Sequence, residues 1–403
     1  MADIKPRYLV MVTACNNNKY YKMIPKSGDR WVAEYGRVGT SPQRREYGMS
    51  CWESKYREKI KKGYVDQSDL VEDLIKTEMP EHDGYRAIEN QAIAEIVQRL
   101  QNMARKAISE NYTISANKVT WVMVDEAQDI LTQLLTITDV KQFNDTLLKL
   151  FMTIPRSMVT VNLYLAKSDS DFPRIIKREQ DLLDIMSGQV IQQQKVDDSP
   201  DVAEKDYTIL EQLGLIFEEC TENDIIKIKS ALGSCADKFH KAWRVTNRKT
   251  QEKFDNFVQN AEYKEVKSLF HGSRNENWWS IINTGLVLRP TNAVITGKMF
   301  GYGIYYAPKA RKSLGYTSLK GSYWASGDQD IGFMALMKVA YGKPFHVYDY
   351  DYKYQSFNKQ ALQRVCPGSG CLHAHEGRML RNDEIIIYDE AQCTIEYLIE
   401  LRN

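Results

Sequence analysis

Residues 269–316 read LFHGSRNENWWSIINTGLVLRPTNAVITGKMFGYGIYYAPKARKSLGY. Gly272, Gly297, Gly301 and Gly303 punctuate the stretch, and between them lie a histidine, several hydroxyl-bearing aromatics and small polar residues. Glycine permits close backbone approach, so the stretch can press its main chain against a flat ligand and stack rings on that ligand's face. A packing core needs neither.

Around it, strand-like runs recur over residues 200–403: AWRVTN, EVKSLFH, FGYGIYYA, DIGFMALMKVAYG, HVYDYDYKY, EIIIYD and CTIEYLIEL. One clear helix is expected at Trp278–Gly285, with Asn277 as its N-cap. This predicts a sheet-rich α+β domain without the βαβ alternation of a Rossmann sheet. Gly301-x-Gly303 is not followed by the third glycine of a dinucleotide fingerprint, Gly297-Lys298 lacks the remainder of a phosphate loop, and there is no HExxH.

The whole chain has 403 residues, enough for two or three domains. Apolar residues at 43 % and charged residues at 27 % are those of a soluble globular protein. The formal charge of +1 hides an asymmetry: residues 1–66 hold 14 Lys/Arg against 7 Asp/Glu. A basic N-terminal part suggests a polyanion partner. Seven scattered cysteines, with no CxxC pair, fit a reducing compartment better than a disulfide framework. Lys5 and Arg7 before Tyr8–Ala14 mimic the start of a signal peptide, but the apolar run is short and reads as a strand. No segment approaches the length that spans a membrane.

Over residues 1–78, YLVMVTA, KYYKMIP and RWVAEYGRVG read as a small antiparallel sheet with turns at Asn16–Asn18 and Ser27–Asp29. A basic amphipathic helix follows and stops at Gly63. Residues 81–195 carry helical apolar stripes in Glu89–Asn111, Lys118–Leu135, Val140–Met152 and Lys177–Met186, an all-α bundle. Gly188 and QQQKVDDSPD are then expected to form a linker to the third domain, 200–403.

At these residues a resemblance emerges. LFHGSR, TGxMFGxGIYYA, the KSxxY after it and RNDEIIIYDEAQ are similar in order and spacing to the catalytic domain of the poly(ADP-ribose) polymerases, with its ADP-ribosyltransferase fold and His-Tyr-Glu triad. The N-terminal YYK…RWVAEYGRVGT followed by KYREKIKKGY resembles the WGR domain of the DNA-dependent members, with Tyr35-Gly36-Arg37 where the family has Trp-Gly-Arg. LFMTIPR and REQDLLDIM resemble parts of their helical regulatory domain.

The resemblance implies an NAD⁺-dependent ADP-ribosyltransferase, a polymerase activated by DNA ends or nicks that modifies itself and other proteins, with no metal required, no membrane and a nuclear address. It implies His271, Tyr305 and Glu384 as catalytic residues. Gly272 and Ser313 would hold the nicotinamide carboxamide, and Tyr305 and Tyr316 would sandwich its ring. His271 would hold the adenine-side ribose with Ser273 nearby. Lys312 matches a basic position, and Asp184 an acidic position near the adenosine. Glu384 would bond the nicotinamide ribose and orient the nucleophile. Arg289–Lys298 would close over NAD⁺. Tyr35, Arg37, Arg44, Arg45, Lys59, Lys61 and Lys62 would face DNA, with Arg37 alternatively bonding a neighbouring domain. A mono-transferase and a silent DNA-end-binding scaffold are the alternatives.

Cys366, Cys371, His373 and His375, in CPGSGCLHAH, form a metal-like cluster. Their spacing fits no familiar zinc pattern, and a surface loop is the expectation there.

Overall fold

The computed structural model describes residues 4–38, 40–68, 85–112, 119–197, 206–288, 299–323, 325–378 and 380–403, without the side chains of 191–197. The expected closing loop, 289–298, lies outside them. The chain divides into two compact units, Met1–Glu81 with Lys106–Gln194, and His82–Arg105 with Lys195–Asn403. Among the described residues no helix is long and apolar enough to cross a membrane. All seven cysteines are free.

In the first unit, strands β1 (Arg7–Thr13), β2 (Asn17–Lys26), β3 (Arg30–Arg37), β4 (Gln43–Gly48) and, after helix α1 (Trp52–Lys61), β5 (Val65–Asp66) form one antiparallel sheet in the order β4-β3-β2-β1-β5. Alternation puts Leu9, Tyr21, Met23, Trp31 and Ala33 on one face, where they bury Trp52 of α1. Gly63 has φ 87°, the left-handed residue that ends a helix.

Helix α2 (Gln91–Asn111) belongs to the second unit up to Arg105, and α3 (Trp121–Leu134), α4 (Val140–Thr153) and nearly all of α5 (Phe172–Asp197) belong to the first. Thr120 and Asp139 cap α3 and α4 through their side chains. The linker expected from Gly188 onward does not begin there, because α5 runs on to Asp197; the rest of that stretch lies outside the described residues. Gly188 costs a helix about 1 kcal/mol, but Met186, Gln189 and Val190 around it are buried and hold the helical register. Inside the bundle Arg156 and Glu179, each 2 % exposed at the side chain, form an ion pair of 3.1 Å.

The second unit contains α6 (Ile209–Leu213), β6 (Leu215–Glu219), α7 (Glu222–Leu232), β7 (Phe239–Asn247), α8 (Arg248–Asn260), β8 (Val266–Gly272), α9 (Trp278–Thr284), β9 (Ile304–Tyr306), α10 (Ala310–Leu314) and β10 (Ile331–Ala340). After these come β11 (Lys343–Val347), α11 (Lys359–Val365), β12 (Ser369–Ala374), β13 (Glu384–Ile387) and β14 (Cys393–Arg402). A five-stranded sheet has the order β6-β7-β14-β10-β8 and a four-stranded one the order β11-β12-β13-β9. The mixed α+β class expected for this part is what forms.

Four local expectations are corrected here. The unit holds more helix than the single one foreseen: α7 starts in a Thr221/Asp224 capping box, and α8 is capped by Asn247, whose Oδ1 accepts from the amides of Lys249 and Thr250. These helices bury few residues, so their stripes are faint in sequence. Asn277 does not cap α9 through its side chain; its amide bonds Ser273 Oγ at 3.0 Å instead. HVYDYDYKY is a strand only as far as Val347, because Asp351 accepts from the Lys353 amide and turns the chain into a 3₁₀ segment. Finally, CPGSGCLHAH is not a surface loop: Ser369–Ala374 is β12, inside the four-stranded sheet, with Cys371 and Leu372 fully buried.

Candidate active site

A bridge between Phe270 and Ala307 joins the two sheets of the second unit, and the candidate residues lie around it. Phe270 on β8 exchanges two backbone hydrogen bonds with Ala307, just beyond β9, at 2.9 and 3.0 Å. This bridge brings His271 beside Tyr305: His271 Nδ1 lies 3.0 Å from the Tyr305 carbonyl. A carbonyl only accepts, so Nδ1 carries a proton, and in the corresponding neutral tautomer Nε2 is the acceptor. That nitrogen suits a ribose hydroxyl. Trp278, fully buried, meets the imidazole edge to face at 6.4 Å and limits its tilt.

Glu384 opens β13, whose Ile385, Ile386 and Ile387 pair with Tyr306, Tyr305 and Ile304 of β9. Strand pairing therefore fixes the glutamate relative to the tyrosine. Its carboxylate is buried and bonded to Lys312 Nζ at 2.5 Å, from α10. Burial alone would lower the Lys312 pKa, but the hydrogen bond and charge of Glu384 together with Tyr316 outweigh it and the value is raised. The ion pair thus favours the charged ammonium of Lys312 in a poorly solvated place.

Gly272 and Ser313 are pressed together. A Cβ on Gly272 would fall 2.0 Å from the Ser313 carbonyl oxygen, so no other residue fits unless β8 and α10 part. Ser313 is buried and its Oγ lies 3.0 Å from the Phe270 carbonyl, so donating to a bound carboxamide takes a rotation of that hydroxyl. The Tyr316 amide bonds the Ser313 carbonyl at 3.0 Å, which places the ring at 38 % exposure beside Lys312. Tyr305 is anchored at its far end, its hydroxyl donating to the Gly301 carbonyl and accepting from the Phe300 amide, each at 3.0 Å. Burial pushes the pKa of both tyrosines up, so both stay neutral.

The structure thus brings together His271, Gly272, Ser273, Tyr305, Lys312, Ser313, Tyr316 and Glu384. Sequence reasoning missed the residues that position them. Asn275 is buried, donates to Gln329 Oε1 and the Ile331 carbonyl at 2.9 Å each, and accepts from the Phe333 amide at 3.2 Å, pinning the HGS turn to β10. Its signal was only an asparagine in HGSRN. Gly301, at φ 74°, packs so that a Cβ would lie 2.2 Å from the Phe357 carbonyl, which seats the turn that holds Tyr305.

The remaining candidates lie in the first unit. Arg37 at the end of β3 donates to the carbonyl of Asn16 at 2.9 Å, to Asn16 Oδ1 at 3.0 Å and to the Val159 carbonyl at 2.7 Å, so it joins the small sheet to the loop after α4. Tyr35 stacks on Tyr21 at 5.5 Å. Arg44 is paired with Glu34 at 2.9 Å and Lys62 with Glu58 at 2.6 Å. Lys59 lies 4.0 Å over the Tyr21 ring, and burial lowers its pKa. Arg45 and Lys61 are exposed. Asp184, on α5, accepts from Gln180 at 3.1 Å.

Comparison with known proteins accords with this arrangement. Residues 223–403 match the family model of the poly(ADP-ribose) polymerase catalytic domain. The chain is 30 % identical over 189 residues to a poly(ADP-ribose) polymerase-like protein, 100L, of Invertebrate iridescent virus 6, covering 46 % of this chain and 97 % of that protein. It is 29 % identical over 158 residues to human poly(ADP-ribose) polymerase 2 and 30 % identical over 177 residues to the maize protein of the same name, in each case across 26 % of the relative. Fold, site and matches define a transferase that takes ADP-ribose from NAD⁺. The chain belongs to the poly(ADP-ribose) polymerase family.

Proposed function

We propose that this protein is a poly(ADP-ribose) polymerase stimulated by DNA ends or nicks, with His271, Tyr305 and Glu384 as its catalytic residues. The observation that carries the reading is the buried Glu384 carboxylate, held on Lys312 beside a His271–Tyr305 pair.

In this mechanism the nicotinamide ring lies between Tyr305 and Tyr316, with its carboxamide on the Gly272 backbone and Ser313. His271 Nε2 accepts from the adenine-side ribose, and Ser273 lines the same end. The bond from ribose C1′ to nicotinamide breaks with its electron pair going to the ring nitrogen, so a neutral molecule leaves a cation. The electron-rich tyrosine faces suit the cationic ground state. The C1′ centre becomes oxocarbenium-like, as in glycoside cleavage. Glu384, as the anion, stabilises the positive charge growing on the ribose and orients the acceptor. The acceptor oxygen bonds C1′ and passes its proton toward Glu384. Holding both reactants in line supplies much of the rate.

DNA control rests on the first unit. Exposed Arg45 and Lys61 would neutralise phosphates, while Arg37 and Asn16 carry the small sheet's state to the loop at Met158–Val161. Asp184, on the bundle's last helix, would lie near the adenosine, and the folded bundle would hinder NAD⁺ entry until DNA loosens it. By linkage, DNA activates only as far as it prefers the loosened state. A nuclear address belongs to the same reading, and imaging of the tagged chain tests it.

Labelled NAD⁺ with and without nicked DNA, resolved on a gel, tests the proposal. A ladder that grows with DNA is expected. A single modified band would make it a mono-transferase, and equal labelling without DNA would remove the regulatory claim.

A further inference from the structure

Three histidines outside the active site converge on one face of the four-stranded sheet. His346 on β11 and His373 on β12 are direct partners in the parallel register, so their side chains share a face. His375 lies two residues beyond His373 on that face and is fixed by its amide bond to the Val347 carbonyl, 2.8 Å. One imidazole nitrogen from each lies within 4.8 Å of the other two. The rings are stacked, with centroids 4.1 Å apart for His373 and His375 and 5.0 Å for His346 and His375.

His346 Nδ1 faces His375 Nε2 at 2.7 Å. Two lone pairs at that distance repel, so the pair must share a proton or a cation. On the other side of the His375 ring, Nδ1 faces Asp383 Oδ2 at 3.5 Å, and His373 Nε2 bonds the same oxygen at 2.8 Å. A carboxylate on the far nitrogen of an imidazole is the usual outer partner of a metal-bound histidine, where it sets the tautomer and strengthens the donor. Tyr341 OH bonds His373 Nδ1 at 2.7 Å, so His373 is held at both nitrogens and must give up one of these partners to ligate.

We infer that His346, His373 and His375 form a binding site for a zinc-class divalent cation, with Asp383 as its outer-sphere carboxylate. Three imidazoles suit Zn²⁺, which takes nitrogen ligands at about 2.0–2.1 Å in tetrahedral geometry and leaves a fourth position for water. That geometry sets neighbouring nitrogens about 3.3 Å apart, so the His346–His375 contact opens slightly as the shared proton leaves. Neither Cys366 nor Cys371 joins the cluster. Asp383 immediately precedes Glu384 in the chain. The cation would therefore tie β11, β12 and the start of β13 together next to the catalytic strand, in a structural role separate from the transfer chemistry.

The test is equilibrium dialysis of the chelator-stripped full chain against Zn²⁺, followed by metal analysis and thermal melting. About one Zn²⁺ per chain is expected, with a rise in Tm. His346→Ala and His375→Ala should each weaken binding at least 100-fold and abolish the Tm rise. Asp383→Asn should weaken it 10–100-fold, while Cys366→Ser should bind as the wild type does. His346 is exposed, so its variant carries the test even should His373→Ala fail to fold. Substoichiometric Zn²⁺ on the wild type, or unchanged binding by His346→Ala and His375→Ala, would overturn the inference. None of these readouts depends on transferase activity.

Discussion

Lys312 Nζ lies 2.5 Å from Glu384 Oε1, a buried ion pair between α10 and the first residue of β13. Lys312→Met leaves the carboxylate without its counter-ion, and such a group takes up a proton or draws in water. A 10–100-fold fall in kcat is expected, with KM for NAD⁺ changing less, measured by steady-state nicotinamide release. The pair also links stability to pH. The Lys312 pKa is raised on folding, so its contribution is fully present below the ordinary lysine value of 10.5 and is lost as pH rises through the folded value. Melting curves should therefore converge for wild type and Lys312→Met only in strong alkali.

Gly272→Ala places a methyl group 2.0 Å from the Ser313 carbonyl, a backbone atom that cannot swing aside. The strand and helix must separate where the carboxamide would bind. KM for NAD⁺ should rise at least tenfold, and a nicotinamide-like inhibitor should lose affinity to a similar degree. Unchanged inhibitor binding would move the carboxamide site elsewhere.

Arg37→Ala removes one hydrogen bond to the Val159 carbonyl of the bundle's loop and two to Asn16 within the small sheet, at a partly buried position. The expected stability loss is small, about 1–2 kcal/mol. Stimulation by nicked DNA should fall sharply while DNA-independent activity and DNA affinity change little. Activity titrations against DNA, with anisotropy for binding, separate these effects.

Arg156→Met leaves the buried Glu179 with Arg178 alone, at 2.7 Å, so the cost is expected below the about 3–5 kcal/mol of a fully unpaired buried charge. If the folded bundle restrains the active site, loosening it must raise DNA-independent labelling. The variant should show higher basal activity and a lower Tm for the bundle. A lower Tm with unchanged basal activity would count against restraint by the bundle.

Legibility in the sequence followed the physics of each feature. Glu384, Tyr305 and His271 stood out in the sequence only through the resemblance of their ordered blocks, and what the structure adds is that strand pairing and the Phe270–Ala307 bridge bring those blocks together. The small sheet was legible because Leu9, Tyr21, Met23 and Trp31 alternate over a single buried face. Helices α7 and α8 were obscure because capping and one-sided docking stabilise them with few buried residues. The continuation of α5 past Gly188 was hidden because tertiary burial overrides the propensity of one glycine. The histidine face was half visible: His373 and His375 stood out, but His346 joins them only through the parallel pairing of β11 with β12.

The most direct test of the central claim is Glu384→Gln, an isosteric change that removes the negative charge while leaving the shape of the site. Labelled NAD⁺ is followed on a gel in the presence of nicked DNA, with NAD⁺ affinity measured in parallel. The account predicts loss of the polymer ladder, with NAD⁺ still bound within a fewfold of the wild-type affinity. Long polymer made by Glu384→Gln would contradict it.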